Sequence, residues 1–312
     1  MIALNQVLNP LAWVFNNERY KRSLLPPEIY DAHFVSKAVT AIQERWTDAG
    51  NMPEDESSPI FILSAGWGSG STLVQRIVMS SKEVLVWGEP YDRAAPVHRI
   101  SSTISSIAHD WPPESHYSSV RSLDALSKSW VANLAPPIEN LRAGHLAFFN
   151  AWLGLNGQSH EITRWGLKEV RLTIDHARYL KWLYPNARFL FVYRDLPPGY
   201  LGCRRLNWYS VWPNYRATHI LRFAHHWQHL VNGFVDGYKD VDGLLIKYED
   251  LVSGQLPLET IRDYINVAAV DTDILNKKVG ARSASRTPLI LPERLLLDSV
   301  AGETRRRLGY RK

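Results

Sequence analysis

The sequence predicts an α/β fold: a P-loop-like parallel sheet flanked by helices, with a helical lid or insertion over one edge. Three observations predict it. Short, nearly continuous apolar runs alternate with helix-patterned stretches, as strands buried on both faces do. A loop of small residues joins the first run to an amphipathic helix. Polar residues suited to anions recur where the runs end, and in such sheets ligands bind beyond the carboxyl ends of the strands.

Taken in order, residues 1–58 read as a helical N-terminal arm closing on the polar stretch NMPEDESSP. IFILS (60–64) is the first strand, and the helix after its loop carries Leu73, Val74, Ile77 and Val78 on one face. VLVW (84–87) is the second strand. Between 94 and 163 the pattern turns Ser/Pro-rich (SSTISSIAHDWPPESHYSS) and then helical at 119–134 and 138–155, which reads as an insertion over the sheet's open edge. RWGLK (164–168) is a weaker third strand and RFLFVY (188–193) a strong fourth, followed by a Pro-Pro turn and a short helix. The aromatic turn RLNWYSVWPNY (205–215) precedes a long helix ending near 237, and GLLIKY (243–248) is the fifth strand. No repeat or low-complexity linker divides the chain, so residues 1–312 read as a single domain.

With 312 residues, 45% hydrophobic and 21% charged, the chain can bury a large core, and its twelve tryptophans read as large core residues before pocket lining. The single cysteine, Cys203, excludes an internal disulfide framework and suits a reducing compartment. The N-terminus lacks a basic n-region and is broken by Asn5, Asn9 and Pro10, so it is a poor signal peptide. No apolar run reaches the ~18 residues a membrane span needs. The expectation is a cytoplasmic protein. A net charge of +5 favours anionic ligands, while the basic tail RRRLGYRK (305–312) reads as solvated, with no nucleic-acid partner.

The candidate site residues lie at the strand ends. Gly66, Trp67, Gly68, Ser69, Gly70, Ser71 and Thr72 form a loop whose backbone N–H groups, three hydroxyls and helix dipole can hold an anion. The Walker pattern requires a lysine in such a loop, and none lies between 61 and 78, so the positive charge must come from elsewhere. Lys168 closes the third strand and should point into the same cleft. Arg194 ends the fourth and suits bidentate phosphate recognition, with Asp195 pairing with it or capping the turn. Tyr248 ends the fifth, where its ring could lie against a base. Gly88 turns the chain after the second strand so that Glu89 either faces the cleft or fixes the turn through a salt bridge such as one with Arg93.

Together these residues resemble the PAPS-dependent sulfotransferases (PAPS, 3′-phosphoadenosine 5′-phosphosulfate), of bacterial type and related to the tyrosylprotein branch. SGST resembles the family's 5′-phosphosulfate loop, LYPNARFLFVYRD its 3′-phosphate segment, and KYEDLV its Tyr-Glu-Asp-Leu element. KKVGARSASR and the closing LGY are similar to the tail of bacterial members, and the matches keep the family's order from about 60 to 310. The resemblance implies that residues 69–72 hold the 5′-phosphosulfate, Arg194 the 3′-phosphate, and that Tyr248 sits near the adenine. Lys168 matches a lysine that neutralises the transferring sulfonate, and Glu89 is the candidate base, with Asp92, His98 and His145 behind it. The implied donor is PAPS, and the implied acceptor is a small-molecule or polymeric hydroxyl or an amine, met on the side of the 94–163 insertion. No metal is implied.

Three departures stand out. The loop's usual basic residue falls on Gly68, leaving Lys168 or Arg76 to supply the charge. The serine that partners the 3′-phosphate arginine falls on Gly202, leaving Arg204 or Arg205 to compensate. Pro90 occupies the place of the tyrosylprotein branch's second glutamate. Rival readings are a P-loop nucleotide kinase, which the lysine-free loop disfavours, and a non-catalytic nucleotide-binding protein. His225 and His229, spaced i, i+4, lack the HExxH glutamate and read as polar helix positions, not zinc ligands. Trp208, Tyr209, Trp212 and Tyr215 fit an acceptor pocket or the core equally, and Cys203 reads as a structural thiol.

Overall fold

A computed structural model describes residues 29, 31–46, 57–89, 95–117, 122–155, 162, 164–206, 219–276 and 288–310, with the backbone alone at 205–206. Much of the expected N-terminal arm, the aromatic turn, the KKVGARSASR segment, Asp92 and Arg93 lie outside them.

Five strands, β1 (Ile60–Ser64), β2 (Val84–Gly88), β3 (Arg164–Glu169), β4 (Arg188–Tyr193) and β5 (Leu244–Lys247), form one sheet in the order β2-β3-β1-β4-β5. Every pairing is parallel. All five residues of β1 are buried, because its neighbours cover both edges and helices cover both faces. Ile60 and Ile62 join Val84, Val86, Leu190, Val192 and Ile246 in one apolar layer, while Phe61 and Leu63 join Leu167, Phe189 and Phe191 in the other. That alternation is the two-residue period of a strand expressed in the core.

The first layer is roofed by α2 (Ser71–Met79), through Val74, Ile77 and Val78, and by α10 (Leu258–Ile265). The second is roofed by α1 (Ala32–Arg45), α3 (Pro96–Ser102), α5 (Ile138–Leu153), α6 (Ile174–Leu183), α8 (Ile220–Gly237) and α11 (Leu291–Arg307). Aromatic rings fill it: Phe61 stacks on Phe189 at 5.3 Å and meets the edge of Trp165 at 5.7 Å. Trp67, Trp165 and Trp227 are buried as core residues, whereas Trp111 and Trp130 are exposed, at 48% and 81%.

Two expected elements differ. Within 122–134, the described part of the expected 119–134 helix, the helical stretch is α4 (Leu123–Ser127), where only Leu126 is buried and Leu123 is 84% exposed. With no apolar stripe to bury, tertiary packing does not lengthen it. The expected Pro-Pro turn is instead the start of α7 (Leu196–Leu206): Pro197 and Pro198 occupy first-turn positions, whose N–H groups have no intrahelical acceptor in any case. A short α9 (Tyr248–Ser253) follows β5 directly.

β1 sits at the centre. The chain leaving it turns through α2 toward β2 on one side, and the chain leaving β4 turns through α7 and α8 toward β5 on the other. The loops after β1 and β4 therefore diverge, and a crevice opens over their carboxyl ends, where doubly wound sheets bind ligands. No helix among the described residues is long and apolar enough to cross a membrane.

Candidate active site

The loop after β1 owes its shape to backbone conformation. Gly68 takes φ +77°, and a Cβ there would lie 2.9 Å from the carbonyl oxygen of Gly199 in α7. A basic side chain at position 68 would be strained and crowded, which gives a physical reason for the glycine found there. Gly70 caps α2 at φ +95°, and a Cβ there would collide with the Tyr248 ring. Tyr248 thus packs directly on the loop.

Among the described residues, the N–H groups of Ser69, Gly70, Ser71 and Thr72 have no protein acceptor. They are the orphan donors of a helix N-terminus, reinforced by its dipole. The hydroxyls divide. Ser69 is buried and turned inward, donating to the Gly66 carbonyl at 3.0 Å and contacting the Ser64 hydroxyl, which corrects the expectation that three hydroxyls face an anion. Ser71 is also buried, whereas Thr72 is exposed. Trp67 is buried against the His226 ring at 5.2 Å and Gly66 is buried beside it, so both shape the loop from beneath.

Arg194 follows β4. Its guanidinium lies over the Tyr248 ring, 4.3 Å from the centroid, and its Nη1 donates to the Gly68 carbonyl at 3.4 Å. Its Nε is buried with no hydrogen-bond partner, and no carboxylate among the described residues pairs with the group. Asp195 does not pair with it. That carboxylate grips Arg305 of α11 at 2.8 and 3.0 Å and caps α7 through the Leu196 N–H at 2.8 Å. The Arg194 backbone is fixed by Trp227, whose indole N–H donates to its carbonyl at 2.9 Å. Glu249 ties β4 to the C-terminus, accepting from the Asp195 N–H at 3.1 Å and from the Tyr310 hydroxyl at 2.9 Å. Arg305 of α11 and Tyr310 just after it thus support the site from 110 and 61 residues beyond their partners Asp195 and Glu249, and the buried Arg305 corrects the reading of 305–312 as a solvated tail. No local signal pointed to Arg305, and Tyr310 was visible only as part of LGY.

The other two candidate residues are brought together. Lys168, 7% exposed, pairs with Gly88 on β2 and with Ile62 on β1 in register, on the face roofed by α2. Its ammonium forms an ion pair with Glu89. Glu89 takes φ +44° and donates its N–H to the Lys168 carbonyl at 2.9 Å. Arg76, the alternative cation, sits in the last turn of α2, away from the loop.

Behind this pair, Glu169 accepts from the buried Arg171 at 2.9 and 2.8 Å and from the Val170 N–H at 2.9 Å. His98 contacts the Arg171 carbonyl at 3.3 Å, and burial with the Arg171 charge lowers its pKa to about 3. Burial likewise lowers His226 to about 3. His98 is therefore a buried neutral group, not a reserve base. His145 is no better placed: its nitrogens meet Thr103 and Tyr179, each at 2.9 Å.

Of the two proposed substitutes for the missing serine, Arg204 is committed elsewhere. Arg204 turns to Glu293 of α11 at 2.6 Å, and the Arg205 side chain lies outside the described residues. Gly202 has open space where a Cβ would project. Cys203 is buried, with its thiol pKa pushed up to about 12 by desolvation, as suits an inert packing residue.

Solved structures similar to the chain include the sulfotransferase domain of the Synechococcus PCC 7002 olefin synthase, at 17% identity over 80% of this chain and 98% of that one, with a TM-score of 0.39. A sulfotransferase from Alicyclobacillus acidocaldarius matches at 14% over 81% and 94%, TM-score 0.41. One from Mycobacterium avium matches at 12% over 89% and 83%, TM-score 0.40. No curated protein sequence gives a significant match. The model of the sulfotransferase family matches residues 59–269, a span that holds all five strands, the loop, Glu89, Lys168, Arg194 and Tyr248, and the chain belongs to that family.

Proposed function

We propose that the protein transfers a sulfonate group from PAPS to a hydroxyl or amine acceptor, small-molecule or polymeric. One observation carries the reading: Arg194, a cation with no carboxylate partner among the described residues, bonds to the same loop whose N–H groups at 69–72 lack acceptors. Two anion-binding elements of different kind thus meet over β1 and β4, as a nucleotide charged at both its 5′ and 3′ positions requires. The buried, unpartnered Arg194 Nε fits such a ligand.

In this reading the 69–72 N–H groups hold the 5′ end, Arg194 the 3′-phosphate, and the Tyr248 ring borders the nucleoside. PAPS supplies an activated sulfonate on a good leaving group. Transfer is an in-line displacement at sulfur, so the protein's work is positioning and charge stabilisation. Lys168 offers positive charge to the sulfonate, and Glu89, held against it, takes the acceptor's proton. The chain acts as one sulfotransferase domain in the cytoplasm, with the 94–163 segment on the acceptor side. The kinase alternative is disfavoured by family membership and by the lysine-free loop.

Arg194→Ala is expected to weaken adenosine 3′,5′-bisphosphate binding by about 1.5–3 kcal/mol, the worth of a charge-assisted hydrogen bond. AMP, which lacks the 3′-phosphate, should lose much less. Equal losses for both nucleotides by calorimetry remove Arg194 from this role. Lys168→Ala should lower kcat far more than it raises KM for PAPS, because a contact to the sulfonate strengthens in the transition state. Unchanged kcat would move the charge to another cation. Gly202→Ser restores the family's serine at a position with room for it. It should tighten bisphosphate binding by about 0.5–1.5 kcal/mol, one net hydrogen bond, and leave AMP affinity unaltered.

A further inference from the structure

The amino end of the sheet, opposite the crevice, holds a second charged cavity of about 370 Å³. Arg164, Lys181, Asn186, Arg188, Asp242 and Asn266 line it, setting three cations against one carboxylate. Arg164 and Arg188 open β3 and β4, the two strands that flank β1. Ile60 pairs in register with Arg188 on one side and on the other with Gly166, two residues beyond Arg164. Strand alternation therefore puts both guanidinium groups on one face of the sheet. They are close enough to repel: after burial, the Arg188 charge is the next cause lowering the Arg164 pKa.

The three cations are not equally committed. Arg164 donates to the Ser58 carbonyl at 2.8 Å and to the carbonyl of Ile265 at the end of α10. Lys181 pairs with Asp242 at 3.2 Å. Among the described residues, the Arg188 guanidinium has no hydrogen-bond or ion-pair partner, only the Tyr264 ring 5.6 Å from its Cζ. Tyr264 is itself pinned, accepting from the Phe189 N–H at 2.9 Å and donating to the Asp242 carbonyl at 2.8 Å. A half-buried cation beside another cation, with no counter-ion, is best satisfied by an anion from outside. Its planar fork matches a tetrahedral oxyanion.

We propose that this cavity binds a phosphate or sulfate group, as a free ion or as a monoester, with Arg188 as its anchor and Lys181, Asn186 and Asn266 as further donors. The site lies at the far end of the strands from the loop and Arg194, so the two can be occupied independently. The volume exceeds that of a bare oxyanion and leaves room for an organic group.

The test is equilibrium dialysis of the full chain against labelled inorganic phosphate and, separately, phenyl phosphate, at low and constant ionic strength. Arg188→Ala should weaken binding at one site by at least about tenfold, the effect of losing one charge-assisted contact, both in the native chain and in the Arg194→Ala background. Asp242→Asn, which removes the one carboxylate lining the cavity among the described residues, should tighten binding. Tighter binding of phenyl phosphate than of phosphate assigns the site to monoesters, and the reverse assigns it to the free ion. Identical curves for the native chain and Arg188→Ala overturn the proposal, as does loss of all phosphate binding in Arg194→Ala alone. Should Arg188→Ala fail to fold, an unchanged affinity in Asp242→Asn overturns it instead.

Discussion

Glu89→Gln is expected to cut acceptor sulfonation by at least ~10²-fold, the lower bound of what a general base contributes. The substitution preserves the length of the side chain and its ability to bond with Lys168, and it leaves the backbone at φ +44° with the same type of side chain to accommodate. Only the capacity to take a proton is removed. A base adds little to nucleotide affinity, so the melting shift induced by adenosine 3′,5′-bisphosphate should persist. If Glu89 merely held Lys168 in place, the amide would do the same work and turnover would change little. Normal kcat in this variant therefore ends the assignment. The two histidines once available as substitutes do not rescue it, since His98 is buried and neutral and His145 is engaged at both nitrogens.

The largest effect on stability is expected at Glu169. Arg171 is fully buried, and the Glu169 carboxylate is its bidentate partner. Burying two charges is costly, and their attraction offsets that cost only while both are present. Glu169→Ala strips the carboxylate from the buried guanidinium and should lower the unfolding free energy by about 3–5 kcal/mol, a large fraction of ordinary domain stability. Replacing both residues together, Glu169→Leu with Arg171→Met, should recover most of the loss, because an apolar pair of similar volume needs no charge compensation. Urea unfolding of the single and double variants checks both halves. A single variant within 1 kcal/mol of the native chain, by the same scale, would place the pair outside the stability of the fold.

The parts of the fold legible in the sequence are those where burial leaves a local trace. Strands such as IFILS and RFLFVY are apolar along their whole length because both faces are covered, and the structure finds them at 60–64 and 188–193 as read. The loop was legible because left-handed turns select glycine. The helix at 119–134 was misread because its pattern looked helical while nothing in the sequence shows that Leu123 and Trp130 remain exposed, at 84% and 81%. Pro197 and Pro198 look like a turn until the first-turn rule is applied to a helix beginning at Leu196.

The site divides the same way. Lys168, Glu89, Arg194 and Tyr248 lie at strand ends, so a correct strand reading located all four. Their pairings were not legible. The partner of Asp195 is Arg305, and the partner of Glu89 is Lys168, contacts made across sequence separations of 110 and 79 residues. Arg164 and Arg188 carry no signal in the sequence, because a cation at the start of a strand is ordinary until the register places two of them beside one cavity.

The most direct test of PAPS-dependent transfer is a comparison of the melting temperature with adenosine 3′,5′-bisphosphate, AMP, inorganic phosphate and magnesium ATP. At 100 times its Kd, a ligand that binds only the folded chain stabilises it by roughly 2.7 kcal/mol. The account predicts that the bisphosphate gives the largest shift, that AMP gives much less, and that Arg194→Ala abolishes the difference between them. A response to the amino-end cavity alone would instead follow phosphate and AMP and survive Arg194→Ala. Stabilisation by magnesium ATP with none by the bisphosphate would contradict the assignment.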